Sequence, residues 1–335
     1  MAPKSLNWFY NKNAPPGLPS REDVLARLDC ASPRGWFAYP SREAPVCFVK
    51  HGFTVHWTEV ISQHRVGTWL AQSQSESAAR APTVYFGFQH DSPWSVPVTV
   101  IVMEYIRGQT VQEAWREASG DDARRETIRH KVADAFMALT RFPVDPAKRS
   151  PSAIDGSYIR HYIFEDQMAP RLYENVQQLE DHCNEVSYAW ADTANYVVLS
   201  RSKALTRTQF ARGFRGALHC DIAHERLVFC FSDMHPSNFM IDGTDGHVVV
   251  IDFEQTSFVP ATMALYPAHG HILGFDISTL VSVPGANPSQ IPALGNVSRK
   301  IDISSTSFAR MMGRIDGSDK ETQRRLWSQV TTKVD

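Results

Sequence analysis

Apolar and polar positions alternate with two different periods along this chain, and the change of period divides it. Near the start, "REDVLARLDC" spaces Val24, Leu25 and Leu28 for a short amphipathic helix. "APVCFVKHG" reads as a buried strand ending at Lys50, and "TEVISQHRVGTWLAQ" sets Val60, Ile61, His64, Thr68 and Leu70 near one side of a helix that Gly67 weakens. "APTVYFGF" predicts a second strand. "VPVTVIVMEYI" predicts a third, whose near-continuous β-branched residues suit a strand covered on both faces. The pattern then turns helical. "RGQTVQEAW" offers Gly108 as a break and Thr110 with Glu113 as a capping box. In "DARRETIRHKVADAFMALTRF", Ile128, Val132, Phe136 and Leu139 form one stripe and leave Arg124, Arg125 and Lys131 to solvent.

Residues 143–157 read as loop and 159–186 as mostly helix, interrupted at Pro170. "NFMID" and "HVVVIDF" flank the turn "GTDG" as a β-hairpin. Beyond Pro260, the prolines at 267, 284, 288 and 292 predict loop before a last helix around residues 320–330. A small sheet carrying one helix, a crossing segment near residues 104–108 and a helical region follow from this order. There is no internal repeat.

Composition narrows the class. The 335 residues suffice for one large bilobal domain or two ordinary ones, and 43% apolar with 21% charged residues is the balance of a soluble globular protein. Lys and Arg (34) nearly cancel Asp and Glu (36), and the net charge of −2 excludes a general electrostatic attraction to nucleic acid or anionic membrane. Five scattered cysteines, Cys30, Cys47, Cys183, Cys220 and Cys230, form no CxxC pair, which argues against a disulfide framework or a zinc site and for a reducing compartment. The N-terminus shows no apolar signal region, and no stretch approaches the roughly 18 apolar residues of a spanning helix. The expected location is cytoplasmic, and no obligate protein partner is implied.

The candidate chemistry lies in "FSDMHPSNFMIDGTDGHVVVIDFEQTSF", residues 231–258. Asp233 and Asn238 stand in the D-x-x-x-x-N spacing of kinase catalytic loops. That spacing lets one carboxylate orient an attacking hydroxyl and accept its proton, while a neutral oxygen five residues on reaches Mg²⁺. The hairpin would swing Asp252 back beside Asn238, so that both share a hard cation that also takes phosphate oxygens. Asp233 alone reads as a turn residue bonding its own backbone. Joined to Asn238, a hairpin and a second acid ending a buried strand, it reads as part of a metal–phosphate site.

Here the sequence resembles the aminoglycoside phosphotransferase and choline kinase type of protein kinase-like fold, and more particularly the fungal phosphotransferase-family proteins. That pattern runs H-G-D-x-H-x-x-N, a hairpin, then an apolar residue with D-[FW]-E. This chain has "FSDMHPSN" and "IDFE". The resemblance implies an α+β, bilobal fold with a small antiparallel-sheet N-lobe over residues 1–105, its first 20 loose, and a larger, mainly helical C-lobe over 106–335. It implies ATP and Mg²⁺ as cofactors, and transfer of the γ-phosphoryl group to a hydroxyl of a small molecule. Asp233 would be the base, His235 would shape the loop, and Asn238 and Asp252 would hold the metal. Lys50 in "PVCFVK" would face the nucleotide phosphates, ordered by Glu59 nine residues on. "VMEYIRG" looks like the hinge, with the backbone of Glu104 to Ile106 at the adenine edge and Met103 bordering its pocket. Phe231 and Ser232 depart from the family's His-Gly, and "CASPRGWFAYPSREAP" before Lys50 has one glycine, so phosphate contact there is unassigned.

A second function class follows from those departures: a non-catalytic nucleotide-binding scaffold. A kinase acting on protein Ser or Thr is disfavoured because HRD, DFG and APE triplets do not occur in the expected places. His219, Asp221, His224 and Glu225 in "HCDIAHE" fit no zinc spacing. "SAIDGSYIRHYIFED" resembles the family segment leading to the acceptor site. Its Asp155, together with Glu165, Asp166, Glu180, Asp181 and Glu185, would recognise a cationic substrate or simply face solvent.

Overall fold

The computed structural model describes residues 7–28, 32, 34–73, 79–92, 96–164, 167–185, 219–270 and 272–298. In chain order its strands are β1 (Trp8–Tyr10), β2 (Gly35–Tyr39), β3 (Cys47–Gly52), β4 (Ala79–Arg80), β5 (Val84–His90), β6 (Val98–Glu104), β7 (Gly108–Thr110), β8 (Leu227–Phe231), β9 (Phe239–Asp242), β10 (Val248–Val250) and β11 (Thr256–Pro260). The helices used below are α1 (Arg21–Leu25), α2 (Trp57–Gln72), α3 (Val111–Glu117) and α4 (Asp122–Thr140).

β1-β5-β6-β3-β2 form an antiparallel sheet. The unbroken apolar run of β6 is explained by burial on both faces. Val98, Val100 and Val102 join Val24, Cys47, Val49, Phe86 and Phe88 on one side, while Ile101 and Met103 join Val55, Val60 and Val84 on the other. Each such Val or Ile contributes about 1.5–3 kcal/mol by leaving water. α2 covers the second side. Its Gly67 is no weak point: a Cβ there would lie 3.4 Å from the Ala81 Cβ, so the glycine is where the helix packs closely.

Two smaller sheets follow, β4-β10-β9-β7 and β11-β8. The Thr110–Glu113 capping box opens α3 as expected, with Thr110 Oγ1 accepting from the Glu113 amide and Glu113 accepting from the Thr110 amide. The α4 stripe of Ile128, Val132, Phe136 and Leu139 is buried in the large core. Of the three cations left to solvent, Arg125 instead stacks on Trp115 and Lys131 donates to the Gly246 carbonyl. The α+β, two-lobed kinase-like arrangement is thus the fold of the chain.

Four local expectations are corrected. β3 does not end at Lys50 but runs to Gly52. The segment expected to be loose supplies β1, an edge strand on β5. Residues 159–164 and 167–175 form no α-helix: Ile159, Ile163 and Phe164 are all buried, and His161 fixes the irregular backbone by accepting from the Ile163 amide and bonding the Met263 carbonyl. A helix begins only at residue 176, capped by Asn175, which accepts from the Gln178 amide. Pro292 lies not in loop but in the first turn of a helix over 291–298, where its missing N–H removes no hydrogen bond. Residues 186 and 320–330 lie outside the described residues. Among the described residues no helix is long and apolar enough to cross a membrane.

Candidate active site

The hairpin β9-β10 pairs Phe239 with Val250 and Ile241 with Val248. The Ile251 amide donates to the Asn238 carbonyl (2.9 Å), so the chain leaves the hairpin with Asp252 next to the Asn238 turn. Asp252 adopts a positive φ of 62°. For a residue with a Cβ this costs on the order of 1 kcal/mol or more and persists only where surroundings enforce it. What holds it is charge. Lys50 Nζ bonds Asp252 Oδ1 (2.9 Å) and Glu59 Oε1 (2.6 Å), joining β3, α2 and the segment after β10 at one ammonium.

Lys50 is 8% and Glu59 1% exposed. Burial opposes the Lys50 charge, but Glu59 and Asp252 raise its pKa above the ordinary value. Two carboxylates share this one lysine, and they part company. Burial and the neighbouring Asp252 push the enclosed Glu59 carboxyl up against the pull of Lys50. Burial works the same way on Asp252, yet Lys50 and Arg34 hold that carboxyl below its usual range. Glu59 Oε2 is buried with no hydrogen-bond partner.

Oxygens of Glu59, Asp252 and Glu254 lie within 4.8 Å of one another. Glu59 is committed to Lys50, so the carboxylates left to receive a cation are Asp252 and Glu254, on the segment whose Ile251 amide bonds the Asn238 carbonyl. This all-oxygen set fits a hard divalent cation such as Mg²⁺ and is unsuited to a thiophilic metal. Two basic side chains reach the same acids: Arg34 pairs with Glu254 and stands 3.8 Å from Asp252, and His56 Nε2 lies 3.7 Å from Glu254. Burial and the charges of Arg160, Arg34 and Lys50 lower the His56 pKa to about 4, so it is neutral near pH 7.

The loop after β8 is built from its own side chains. His235 Nδ1 accepts from the Ser237 amide (3.2 Å) and caps the 3₁₀ turn Pro236–Asn238. Asn238 Nδ2 donates to the Asp233 carbonyl (3.3 Å). The turn-type contact is present at Asp233, whose Oδ1 accepts from the His235 amide (3.3 Å), and Gln255 Nε2 reaches its other oxygen at 3.4 Å. Phe231 is fully buried, edge-on to Phe239 and Phe253. Ser232 accepts from the Tyr162 amide and donates to Gln255. Where the sequence departs from the family's His-Gly, packing and a hydroxyl thus hold the loop.

At the hinge, Met103 is buried and its Sδ accepts from Gln63 (3.3 Å). The Glu104 amide donates to the Thr83 carbonyl, and the Glu104 carboxylate pairs with Arg80, which also binds Asp242 in the hairpin. Among the described residues the amides of Tyr105 and buried Ile106 donate to no protein acceptor. Other acidic residues serve the fold. Glu180 accepts from the amides of Ile222 and Ala223, Glu225 from Thr262, and Asp155 from Thr58 at the start of α2. Glu165 and Asp166 lie outside the described residues. Arg34, Glu254 and Gln255 were not singled out from the sequence. "DFEQ" keeps the latter two beside Asp252, but no spacing rule reaches Arg34, 218 residues earlier.

The loop, hairpin and buried Lys-Glu pair invite comparison with known proteins. No curated protein matches the sequence. Among solved structures, similar ones include the GDP complex of aminoglycoside 2'-phosphotransferase-IIIa, at 12% identity and TM-score 0.49, covering 93% of this chain and 97% of that one. Aminoglycoside phosphotransferase APH(4)-Ia is similar at 13% identity and TM-score 0.42, covering 86% of this chain and 87% of that one. The model of the phosphotransferase enzyme family matches residues 56–269. That span is more than half of the chain and includes Glu59, the hinge, the Asp233 loop and Asp252; the chain belongs to the phosphotransferase enzyme family.

Proposed function

We propose that the chain is an ATP-dependent, Mg²⁺-requiring phosphotransferase that moves the γ-phosphoryl group to a hydroxyl of a small molecule. The observation that carries this reading is Lys50 held between Glu59 and Asp252, at 2.6 and 2.9 Å, beside the Asp233–Asn238 loop. An ammonium clamped by two carboxylates is spared the entropy of its flexible stem, and it meets phosphate as a fixed point charge.

Asn238 and Asp252 would hold the metal, which supplies charge neutralisation on the phosphate oxygens. Asp233 positions the acceptor hydroxyl and takes its proton. The hydroxyl oxygen bonds the γ-phosphorus as the bond from that phosphorus to the bridging oxygen breaks, and ADP carries away the electron pair. Gln255 and the His235 amide aim the Asp233 carboxylate, and His235 fixes the turn that presents Asn238. The open amides of Tyr105 and Ile106, next to Met103, suit the edge of a nucleobase. The buried free cysteines Cys47, Cys183 and Cys230 fit a reducing, cytoplasmic setting.

ADP release over a panel of hydroxyl-bearing metabolites tests this. Asp233→Asn, Asn238→Ala and Asp252→Ala are each expected to lose at least about 100-fold in kcat while Asp233→Asn still binds Mg-ATP. Undiminished turnover in all three sinks the assignment. Stabilisation by Mg-ATP with no turnover on any acceptor would favour the non-catalytic scaffold.

A further inference from the structure

The sequence before Lys50 offers no glycine-rich loop whose amides would cradle phosphates, yet one residue of that region reaches the site. Arg34, immediately before β2, pairs with Glu254 and stands 3.8 Å from Asp252, spanning 220 and 218 residues of chain. Its side chain is 40% exposed, so it stands at the surface rather than in the core. The two acids it neutralises are also hard-oxygen donors suited to a divalent cation. Arg34 and a divalent cation therefore compete for the same oxygens.

We propose that Arg34 is a phosphate-binding residue that serves as the counter-ion of Asp252 and Glu254 until the metal–nucleotide complex arrives, and then transfers to the terminal phosphates. This rests on the phosphotransfer reading of the site. A guanidinium stays charged at any working pH, so it cannot leave the acids by losing its proton. Once a dication takes their negative charge, the attraction that keeps Arg34 there becomes repulsion. The anion then left for it to pair with would be the nucleotide's phosphate chain, and the planar fork matches two phosphate oxygens as well as it matches a carboxylate. Lys50 is clamped by Glu59 and buried, whereas Arg34, just before β2, is partly exposed. Both would supply positive charge to the phosphates.

The test uses the full chain and calorimetric titration with Mg²⁺ alone and with Mg-AMP-PNP, for wild type, Arg34→Gln and Arg34→Lys. Removing the counter-ion is expected to tighten Mg²⁺ binding by about two- to fivefold, the worth of a half-exposed ion pair. The same Arg34→Gln variant is expected to weaken Mg-AMP-PNP binding by about tenfold, and Arg34→Lys, which keeps the charge without the fork, to fall between. These shifts have opposite signs, which a general loosening of the fold cannot produce. An unchanged or weaker Mg²⁺ affinity in Arg34→Gln overturns the proposal, and so does an unchanged Mg-AMP-PNP affinity. A wild type that binds Mg-AMP-PNP but transfers phosphate to no acceptor refutes the reaction while leaving the Arg34 comparison readable. A wild type that binds neither probe, with Arg34→Gln equally inert, overturns the Arg34 role.

Discussion

His161 is fully enclosed, and both ring nitrogens are engaged, Nδ1 by the Ile163 amide and Nε2 with the Met263 carbonyl. Burial lowers its pKa from 6.5 to about 4, with the Met263 contact opposing. The folded state resists protonation that the unfolded chain accepts. Stability from this residue is therefore complete above pH 6.5 and is lost as pH falls toward 4. Between pH 7 and pH 5 the loss is about 2 kcal/mol. Denaturant midpoints at the two pH values should show this drop in wild type, and His161→Gln should lack that part of it while being weaker at pH 7; an equal drop in both would refute the account. Phe231 makes a parallel case. Edge-on packing against Phe239 and Phe253 leaves a polar ring no partner, so restoring the family's residue with Phe231→His should cost about 3 kcal/mol rather than improve the loop. Urea unfolding of the variant measures it. The hairpin that returns Asp252 beside the Asn238 turn was legible because its pattern is local. The packing of Phe231 was not, because Phe239 and Phe253 are near in sequence but follow no spacing rule that brings their rings onto it.

At the level of elements, caps and period decided what sequence could show. The Thr110–Glu113 box, the α4 stripe and the β9-β10 hairpin each specify themselves within twenty residues, and each formed as expected. Residues 159–164 and 167–175 misled because apolar side chains buried one by one in irregular backbone mimic a helical stripe when only their spacing is seen. Gly108 shows a different limit. Read as a simple break, it begins β7, where a Cβ would lie 2.1 Å from the Ile241 carbonyl oxygen of β9. That oxygen belongs to a paired strand and cannot move aside alone. Gly108→Ala should therefore push β7 off the hairpin and cost about 1–3 kcal/mol, more than the modest gain a glycine replacement usually brings. Because that hairpin carries Asn238 and Asp252, the variant's Mg-ATP affinity should fall together with its thermal midpoint. A loss of stability with unaltered affinity would show that the hairpin keeps its register without β7.

Across the whole molecule, the lobe boundary we place at residue 105 leaves the five-stranded sheet whole on one side but divides both the β4-β10-β9-β7 sheet and the large core. The two small clusters of the N-terminal sheet lie above it, whereas Val66 and Leu70 of α2, Ala79 of β4 and Ala81 belong to the large core with residues from Val111 to Val297. β4 pairs in parallel with β10, Arg80 links Glu104 to Asp242, Thr58 bonds Asp155, and Thr256 bonds Ser62 in the interior. This stitching holds Lys50 against Asp252 without any ligand. It also means that residues 106–335 expressed alone would lose one strand of the hairpin sheet and expose the apolar side of Val248, Phe136 and Leu139 that α2 and β4 help cover. Such a patch favours association over a folded monomer. The fragment is expected to lack a cooperative thermal transition and to bind the dye ANS, whereas a chain beginning at residue 56, which keeps α2 and β4, should recover part of the transition. A fragment 106–335 that melts sharply as a monomer would show that the larger lobe needs nothing from the smaller one for its own stability, and that these links serve to position Lys50 against Asp252 instead.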